Sequence, residues 1–158
     1  MLCNRLEACW QEIVPRAAGV PLWHRKELES EADMRRLVQA ISQAMAQAGY
    51  SEKEVFAMRL ALDEAIMNAY KHGHHGDWTT PITVRYHVHA NGVVAQVEDQ
   101  GPGFDPEQVP DPREPENLLR PSGRGLFLMN AYMSGVCHNE RGNCVCFCKH
   151  QPKESLPQ

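Results

Sequence analysis

Between residues 30 and 100 the apolar residues change their spacing once, near residue 80. Before this point they recur three and four positions apart, as on one side of a helix. After it they alternate with polar residues, as on one face of a strand. The sequence therefore predicts helices followed by paired strands, within a chain whose 158 residues suit one domain.

Two helices are predicted before this change. Ser30 is a helix N-cap residue, and the helix that follows it should cover about residues 31–48. Ser51 and Glu54 form a capping box for a second helix, which should end at Gly73. The apolar stripe of the second helix comprises Val55, Met58, Leu62, Ile66 and Ala69.

Glu64 and Asn68 lie off that stripe, one helical turn apart and in a common direction. Such a pair commonly belongs to a solvated face, but it can also point into a site. The helix alone leaves both interpretations open.

The alternating segments place a carboxylate where burial is expected. The stretch ITVRYHVH and the residues after Asn91-Gly92 predict two antiparallel strands joined by a hairpin. Along the shared apolar face, the next residue after Val97 is Asp99. A buried carboxylate requires a hydrogen-bonding partner, because burying it unpaired costs several kcal/mol or neutralises it. The alternative is that the strand ends at Gln100 and Asp99 meets water.

Two pairs of glycines flank a segment rich in proline and charge, DPEQVPDPREPENLLRPS. Gly101 and Gly103 precede it, and Gly123 and Gly125 follow it. Glycine permits positive φ or the close approach of a flat ligand to the backbone. The helix predicted after the second pair has free amides at its N-terminus, which suit phosphate. We expect the intervening segment to be an irregular, mobile lid.

Composition and charge argue against several classes of protein. A net charge of -4 gives no attraction to a nucleic-acid backbone or an anionic membrane. No stretch approaches the roughly 20 apolar residues that span a bilayer, and the first residues lack a secretory signal. We therefore expect a cytoplasmic protein that binds neither nucleic acid nor membrane.

The six cysteines are expected to be reduced, because the chain has no export signal. Three of them alternate along one predicted strand, on the face opposite Val145 and Phe147; they are Cys144, Cys146 and Cys148. If Val145 and Phe147 face the helices, the cysteine face has no predicted helix over it. It would then be an exposed apolar stripe of the kind that marks an interface.

Zinc binding is the alternative interpretation of the same strand. Cys137, His138 or His150 would have to join the three strand cysteines, because thiolate and imidazole are the preferred zinc ligands. The spacing does not match a CxxC zinc knuckle. Packing on a sheet as small apolar residues is the favoured explanation of the cysteines.

Three motifs, taken together, resemble those of a known superfamily. Glu64-x-x-x-Asn68, Asp99-x-Gly101-x-Gly103 and Gly123-x-Gly125-Leu126-x-Leu128 resemble the N, G1 and G2 boxes of the GHKL ATP-binding proteins. Within that superfamily, ALDEAIMNAYKHG, DQGPGF and GRGLFLMNAYM are most similar to the anti-sigma factor serine kinases. The resemblance covers about residues 30–149.

The resemblance implies a two-layer α+β sandwich, in which helices cover one face of a mixed or antiparallel sheet. The kinase domain would occupy residues 22–150, after an N-terminal extension over 1–21 and before a short tail over 151–158.

The resemblance also implies a role for each motif. Asp99 would accept a hydrogen bond from the adenine amino group of ATP, beside Gly101 and Gly103. Asn68 would give its side-chain oxygen to Mg²⁺, and Glu64 would be the catalytic base for the attacking hydroxyl.

Four further residues are candidates for contact with the phosphates. Arg124 lies between Gly123 and Gly125, where it would neutralise phosphate charge, and Leu126 belongs to the same motif. Lys71 and His72 continue the face of Glu64 and Asn68, although a solvated helix end would explain them as well.

The resemblance therefore implies an ATP-dependent serine/threonine kinase. Its substrate would be a STAS-domain anti-anti-sigma protein, its other partner a sigma factor or another regulator, and its assembly a homodimer. One alternative is a nucleotide-binding module that binds partners without phosphorylating them. The other is a zinc-binding structural protein.

Overall fold

The computed structural model describes residues 11, 23–103, 113 and 124–151. The described helices are α1 (Glu31–Gln47), α2 (Glu52–Asn68) and α3 (Arg124–Tyr132). The described strands are β1 (His24–Leu28), β2 (Ile82–His89), β3 (Gly92–Glu98), β4 (Gly135–His138) and β5 (Cys144–His150). Most of the predicted extension, lid and tail lies outside the described residues. No helix in the described part of the chain has the length and apolar character needed to cross a bilayer.

The strands form one antiparallel sheet with the order β1-β2-β3-β5-β4. Side chains of all three described helices share a core with one sheet face. The predicted α+β sandwich is therefore confirmed, and its sheet is antiparallel. Because β5 lies between β3 and β4, the residues that follow β3 and those that precede β5 meet at one end of the sheet.

Both long helices begin at the predicted caps. The Ser30 hydroxyl accepts the N–H of Asp33 at 3.1 Å, and Ser51 and Glu54 make both hydrogen bonds of a capping box. Helix α2 does not end directly at Asn68 but continues as a π-helical turn over Ala69–Gly73. The predicted end at Gly73 is confirmed, whereas the change of helical pitch was not predicted.

The hairpin brings the predicted apolar residues onto the core face. Val84 pairs with Val97 and Tyr86 with Ala95, and all four are buried. The register also pairs His89 with Gly92, so the turn consists of Ala90 and Asn91 and begins one residue before the Asn91-Gly92 signal. This shift leaves the identity of the buried face unchanged.

The expectation of an exposed cysteine stripe is wrong. Phe147 faces the helices as predicted, but Cys144, Cys146 and Cys148 on the opposite face are only 8%, 4% and 0% exposed. Cys146 and Cys148 form a second small cluster with Val94, and Trp23 packs against it. The prediction failed because it assumed that only a helix could cover this face of the sheet. The indole of Trp23 packs on this face.

We predict that the three β5 cysteines react with thiol reagents only when the protein unfolds. They are buried, and burial also raises the pKa of the Cys144 thiol, which reduces the reactive thiolate. Alkylation of the native and the urea-unfolded protein, followed by peptide mass spectrometry, measures each cysteine separately. Rapid native labelling of Cys146 or Cys148 would contradict the described packing.

Candidate functional site

Helix α2 holds Glu64 and Asn68 at a fixed angle to the core. Met58, Leu62 and Ile66 are fully buried beneath it and prevent the helix from rotating. Glu64 and Asn68 are half-buried on its flank, as the spacing predicted. Within the described part of the chain, neither side chain makes a hydrogen bond or an ion pair, so their oxygen atoms are available to a ligand.

The first turn of α3 lies against Glu64. A Cβ atom added to Gly125 would overlap the Glu64 carboxylate, so the backbone of α3 approaches this side chain as closely as glycine permits. Glu64 and Gly125, which are far apart in sequence, are thus brought together. The carboxylate consequently lies beside the N-terminal end of a helix, where unpaired amides are found.

The end of α2 lies equally close to Asp99. A Cβ atom added to Gly73 would lie 2.5 Å from Oδ1 and 2.8 Å from Oδ2 of that carboxylate. A Cβ atom on Gly101 would overlap the carbonyl oxygen of Gly73. The two glycines therefore allow direct backbone contact between the end of α2 and the segment that follows β3.

Asp99 is partly buried, and the surrounding backbone determines its orientation. Its Oδ1 accepts the N–H of Gly101 at 2.8 Å, while among the described residues Oδ2 accepts no hydrogen bond. Burial raises the pKa of the carboxyl group, and the Gly101 hydrogen bond and the nearby His74 oppose this shift. Asp99 is thus neither fully buried nor fully exposed, and among the described residues one of its carboxylate oxygens accepts a hydrogen bond while the other accepts none.

The loop between β4 and β5 supports the Asp99 segment from the opposite side. Asn143 accepts the N–H of Asp99 at 2.9 Å and donates from Nδ2 to its carbonyl oxygen at 2.9 Å. The side chain of Asn143 is itself held by Asn139, whose Nδ2 donates to Asn143 Oδ1 at 2.7 Å.

Arg141 of the same loop contacts the two glycines that follow Asp99. Gly103, at φ +82°, packs against the carbonyl of Arg141. The guanidinium of Arg141 donates to the carbonyl oxygen of Gly101 at 3.4 Å.

The sequence interpretation did not identify Asn139, Arg141 or Asn143. Two asparagines four residues apart around NERGN indicate a closed turn, and the structure has one. No local pattern relates this turn to Asp99, because their contact joins distant parts of the chain. His74, whose Nε2 accepts the N–H of Gln100 at 2.9 Å, was likewise given no role beside Asp99.

The other predicted site residues are Lys71, His72, Gly123, Arg124 and Leu126. Lys71 and His72 lie on the π-helical turn and are exposed, in agreement with either predicted role. Gly123 lies outside the described residues, as do the side chains of Arg124 and Leu126, although both residues belong to α3.

The zinc-binding alternative gains no support from the described residues. Within residues 23–103 and 124–151, no group of three His, Cys, Asp or Glu is arranged to hold a metal.

Comparison with known proteins agrees with this arrangement. Residues 27–149 match the histidine kinase-like ATPase domain. The serine-protein kinase RsbW of Oceanobacillus iheyensis is 28% identical over 115 residues, which cover 68% of this chain and 73% of the relative. RsbW of Listeria innocua is 33% identical over 106 residues, or 61% of this chain and 66% of the relative. RsbW of Bacillus subtilis is 27% identical over 117 residues, or 70% and 73%.

We predict that Asp99→Asn leaves the protein at least as stable as wild type at pH 7. The raised pKa means that ionised Asp99 destabilises the folded state at neutral pH, and this effect disappears as pH falls and the carboxyl is protonated. Asparagine stays neutral and still accepts the Gly101 N–H. The difference in melting temperature between Asp99→Asn and wild type should therefore be largest at neutral pH and vanish in acid.

Asp77→Asn is the matched control with the opposite sign. The hydrogen bond from the N–H of Thr79 lowers the pKa of Asp77, so its contribution to stability is present at neutral pH and lost in acid. Thermal unfolding of both variants and wild type at several pH values measures how the melting temperature of each protein changes with pH. A loss of stability in Asp99→Asn at pH 7 would show that this carboxylate is a structural residue.

Proposed function

Because the chain belongs to the histidine kinase-like ATPase domain family, we propose that it is an ATP-dependent serine/threonine protein kinase of the anti-sigma factor type. One observation carries the proposal. The contact between the Gly73 backbone and Asp99 brings this carboxylate, which we propose as the adenine acceptor, to the end of the helix that holds Glu64 and Asn68. Recognition of adenine and transfer of phosphate thus take place in one continuous site.

Asp99 recognises the adenine. Its Oδ2 accepts a hydrogen bond from the exocyclic amino group, while the Gly101 N–H fixes the other carboxylate oxygen. A ligand donor would stabilise the ionised form that burial disfavours. The backbone at Gly101 and Gly103 passes beside the base and ribose.

Asn68 and Glu64 serve the phosphate end of the site. The half-buried amide of Asn68 offers a neutral oxygen, which fits Mg²⁺ because this ion is usually held by one or two protein oxygens together with substrate phosphates. The ion would neutralise charge on the phosphates. The phosphate oxygens are bound by exposed Lys71 and His72 and by the glycine motif, which comprises Gly123, Arg124, Gly125 and Leu126.

Glu64 is the catalytic base. It accepts the proton of the substrate serine hydroxyl as the seryl oxygen bonds to the γ-phosphorus. The bond from that phosphorus to the bridging oxygen breaks, and the products are phosphoserine and ADP. The contact with Gly125 keeps the carboxylate beside the start of α3, where the γ-phosphate would lie.

The proposed protein substrate is a small STAS-domain anti-anti-sigma protein with an accessible serine. The second partner is a sigma factor or another regulator that the kinase sequesters in the cytoplasm. The names of the similar RsbW proteins support the serine kinase activity. A nucleotide-binding module that does not transfer phosphate is the competing proposal, and the transfer assay below separates the two.

Three substitutions should produce three separable defects. Glu64→Gln should retain ADP affinity and slow phosphate transfer about 100-fold, the scale expected for loss of a positioned base. Asn68→Ala should abolish the Mg²⁺ dependence of ADP binding. Asp99→Asn should weaken ADP binding about tenfold or more, because an amide presents a donor to the adenine amino group.

Titration calorimetry with and without Mg²⁺ measures binding, and radiolabelled ATP with a cognate STAS protein measures transfer. Asp63→Asn is the control for Glu64→Gln, since it removes an exposed carboxylate from the adjacent position of α2. Equal transfer by Glu64→Gln and wild type would refute the base assignment. If wild-type protein binds ADP but phosphorylates no captured partner, the module without kinase activity becomes the better proposal.

We propose in addition that the protein is a homodimer, on the basis of the family resemblance. The buried cysteine face gives this proposal no support. Sedimentation equilibrium should give twice the 17.8 kDa mass of one chain. A monomer at high micromolar concentration would contradict it.

A further inference from the structure

His74 joins two parts of the site through its imidazole ring. It follows the π-helical turn directly, and its own N–H donates to the carbonyl of Ala69 at 2.9 Å. Its Nε2 accepts the backbone N–H of Gln100 at 2.9 Å. The ring therefore ties the end of α2 to the residue between Asp99 and Gly101.

The other described hydrogen bonds of this segment come from elsewhere. Asn143 binds both backbone groups of Asp99, and Arg141 binds the carbonyl of Gly101. Both residues belong to the loop between β4 and β5. Among the described residues, His74 provides the one hydrogen bond from the α2 side to this segment.

We propose that His74 is a positioning residue, which holds the Asp99 turn at a fixed distance from Asn68 and Glu64 and thereby increases nucleotide affinity. The inference rests on the nucleotide site proposed above. A nucleotide must reach the adenine-recognising carboxylate and the phosphate-binding residues at the same time. A fixed distance between them reduces the conformational freedom that is lost on binding.

The hydrogen bond requires a neutral imidazole. Because Nε2 accepts a proton from the Gln100 amide, the ring proton must reside on Nδ1. Nδ1 is buried and has no hydrogen-bond partner in the described part of the chain. Protonation would turn Nε2 into a donor that faces another donor, so the link would break.

Two substitutions of His74 separate positioning from packing. His74→Gln retains an acceptor near the position of Nε2 but does not titrate, so it should bind ADP within about twofold of wild type at pH 8. His74→Ala removes the acceptor and should weaken ADP binding about three- to tenfold, the range expected for one net hydrogen bond. The control is His75→Asn, because His75 is exposed and has φ 52°, which asparagine tolerates.

Calorimetric titration with ADP and Mg²⁺ at pH 8 measures the affinities. Near wild-type affinity in His74→Gln beside weakened binding in His74→Ala is the result that a packing role would not give. Amide exchange of Gln100, followed by NMR without nucleotide, should be slow in wild type and His74→Gln and fast in His74→Ala. Melting temperatures at pH 8 identify any variant that fails to fold.

The outcomes distinguish this inference from the proposed function. If wild type binds ADP and His74→Ala binds it equally well, His74 has no positioning role and the nucleotide site stands. If His74→Gln and His74→Ala are equally weak, the ring packs but does not position the turn. If wild type binds no ADP at any pH, the nucleotide site itself is refuted, and the role of His74 with it.

Discussion

The contact between the Gly73 backbone and the Asp99 carboxylate fixes the geometry on which the candidate site depends. It requires a residue without a side chain at the end of α2, since any Cβ atom there would overlap the carboxylate. It also places a partly buried acid against a helix end, where one hydrogen bond from the N–H of Gly101 partly offsets the loss of hydration. Glu64 and Asn68 lie on the helix whose continuation reaches Asp99 at Gly73, so this contact sets their positions relative to the carboxylate.

The partial burial of Asp99 illustrates how a residue proposed to bind a ligand can be kept although it lowers the stability of the fold. A carboxyl group whose pKa is raised destabilises the folded chain at neutral pH, and a neutral residue would remove that effect. The surrounding structure nevertheless holds its backbone with two hydrogen bonds from Asn143. Residues that are unfavourable for folding yet firmly held are commonly those that a ligand requires.

Much of the fold and part of the site follow from local sequence patterns. The caps at Ser30 and Ser51 and the alternation around Val84 and Val97 act over a few residues, so they predict the helices, the hairpin and the buried face correctly. Asp99 was identified because it continues that alternation. The motif resemblance added Glu64, Asn68 and Gly125 as partners.

Other features depend on contacts between distant parts of the chain and leave no local pattern. The burial of Cys146 and Cys148 depends on packing by Trp23, and the support of Asp99 depends on Asn143. The π-helical turn likewise follows an unbroken helical pattern, which did not indicate a change of pitch. Such features require the sheet order and the register before they can be inferred.

The insertion of β5 between β3 and β4 has a consequence for how the protein folds. Pairing Glu98 with Cys144 closes a loop of about 45 residues, whereas α1, α2 and the β2–β3 hairpin form through contacts between near neighbours. The helices and hairpin can therefore assemble early, and the loop that supports Asp99 arrives only when β5 joins the sheet. A nucleotide that needs both parts would bind only the completed structure, and its binding energy would be added to the stability of the strand that joins last.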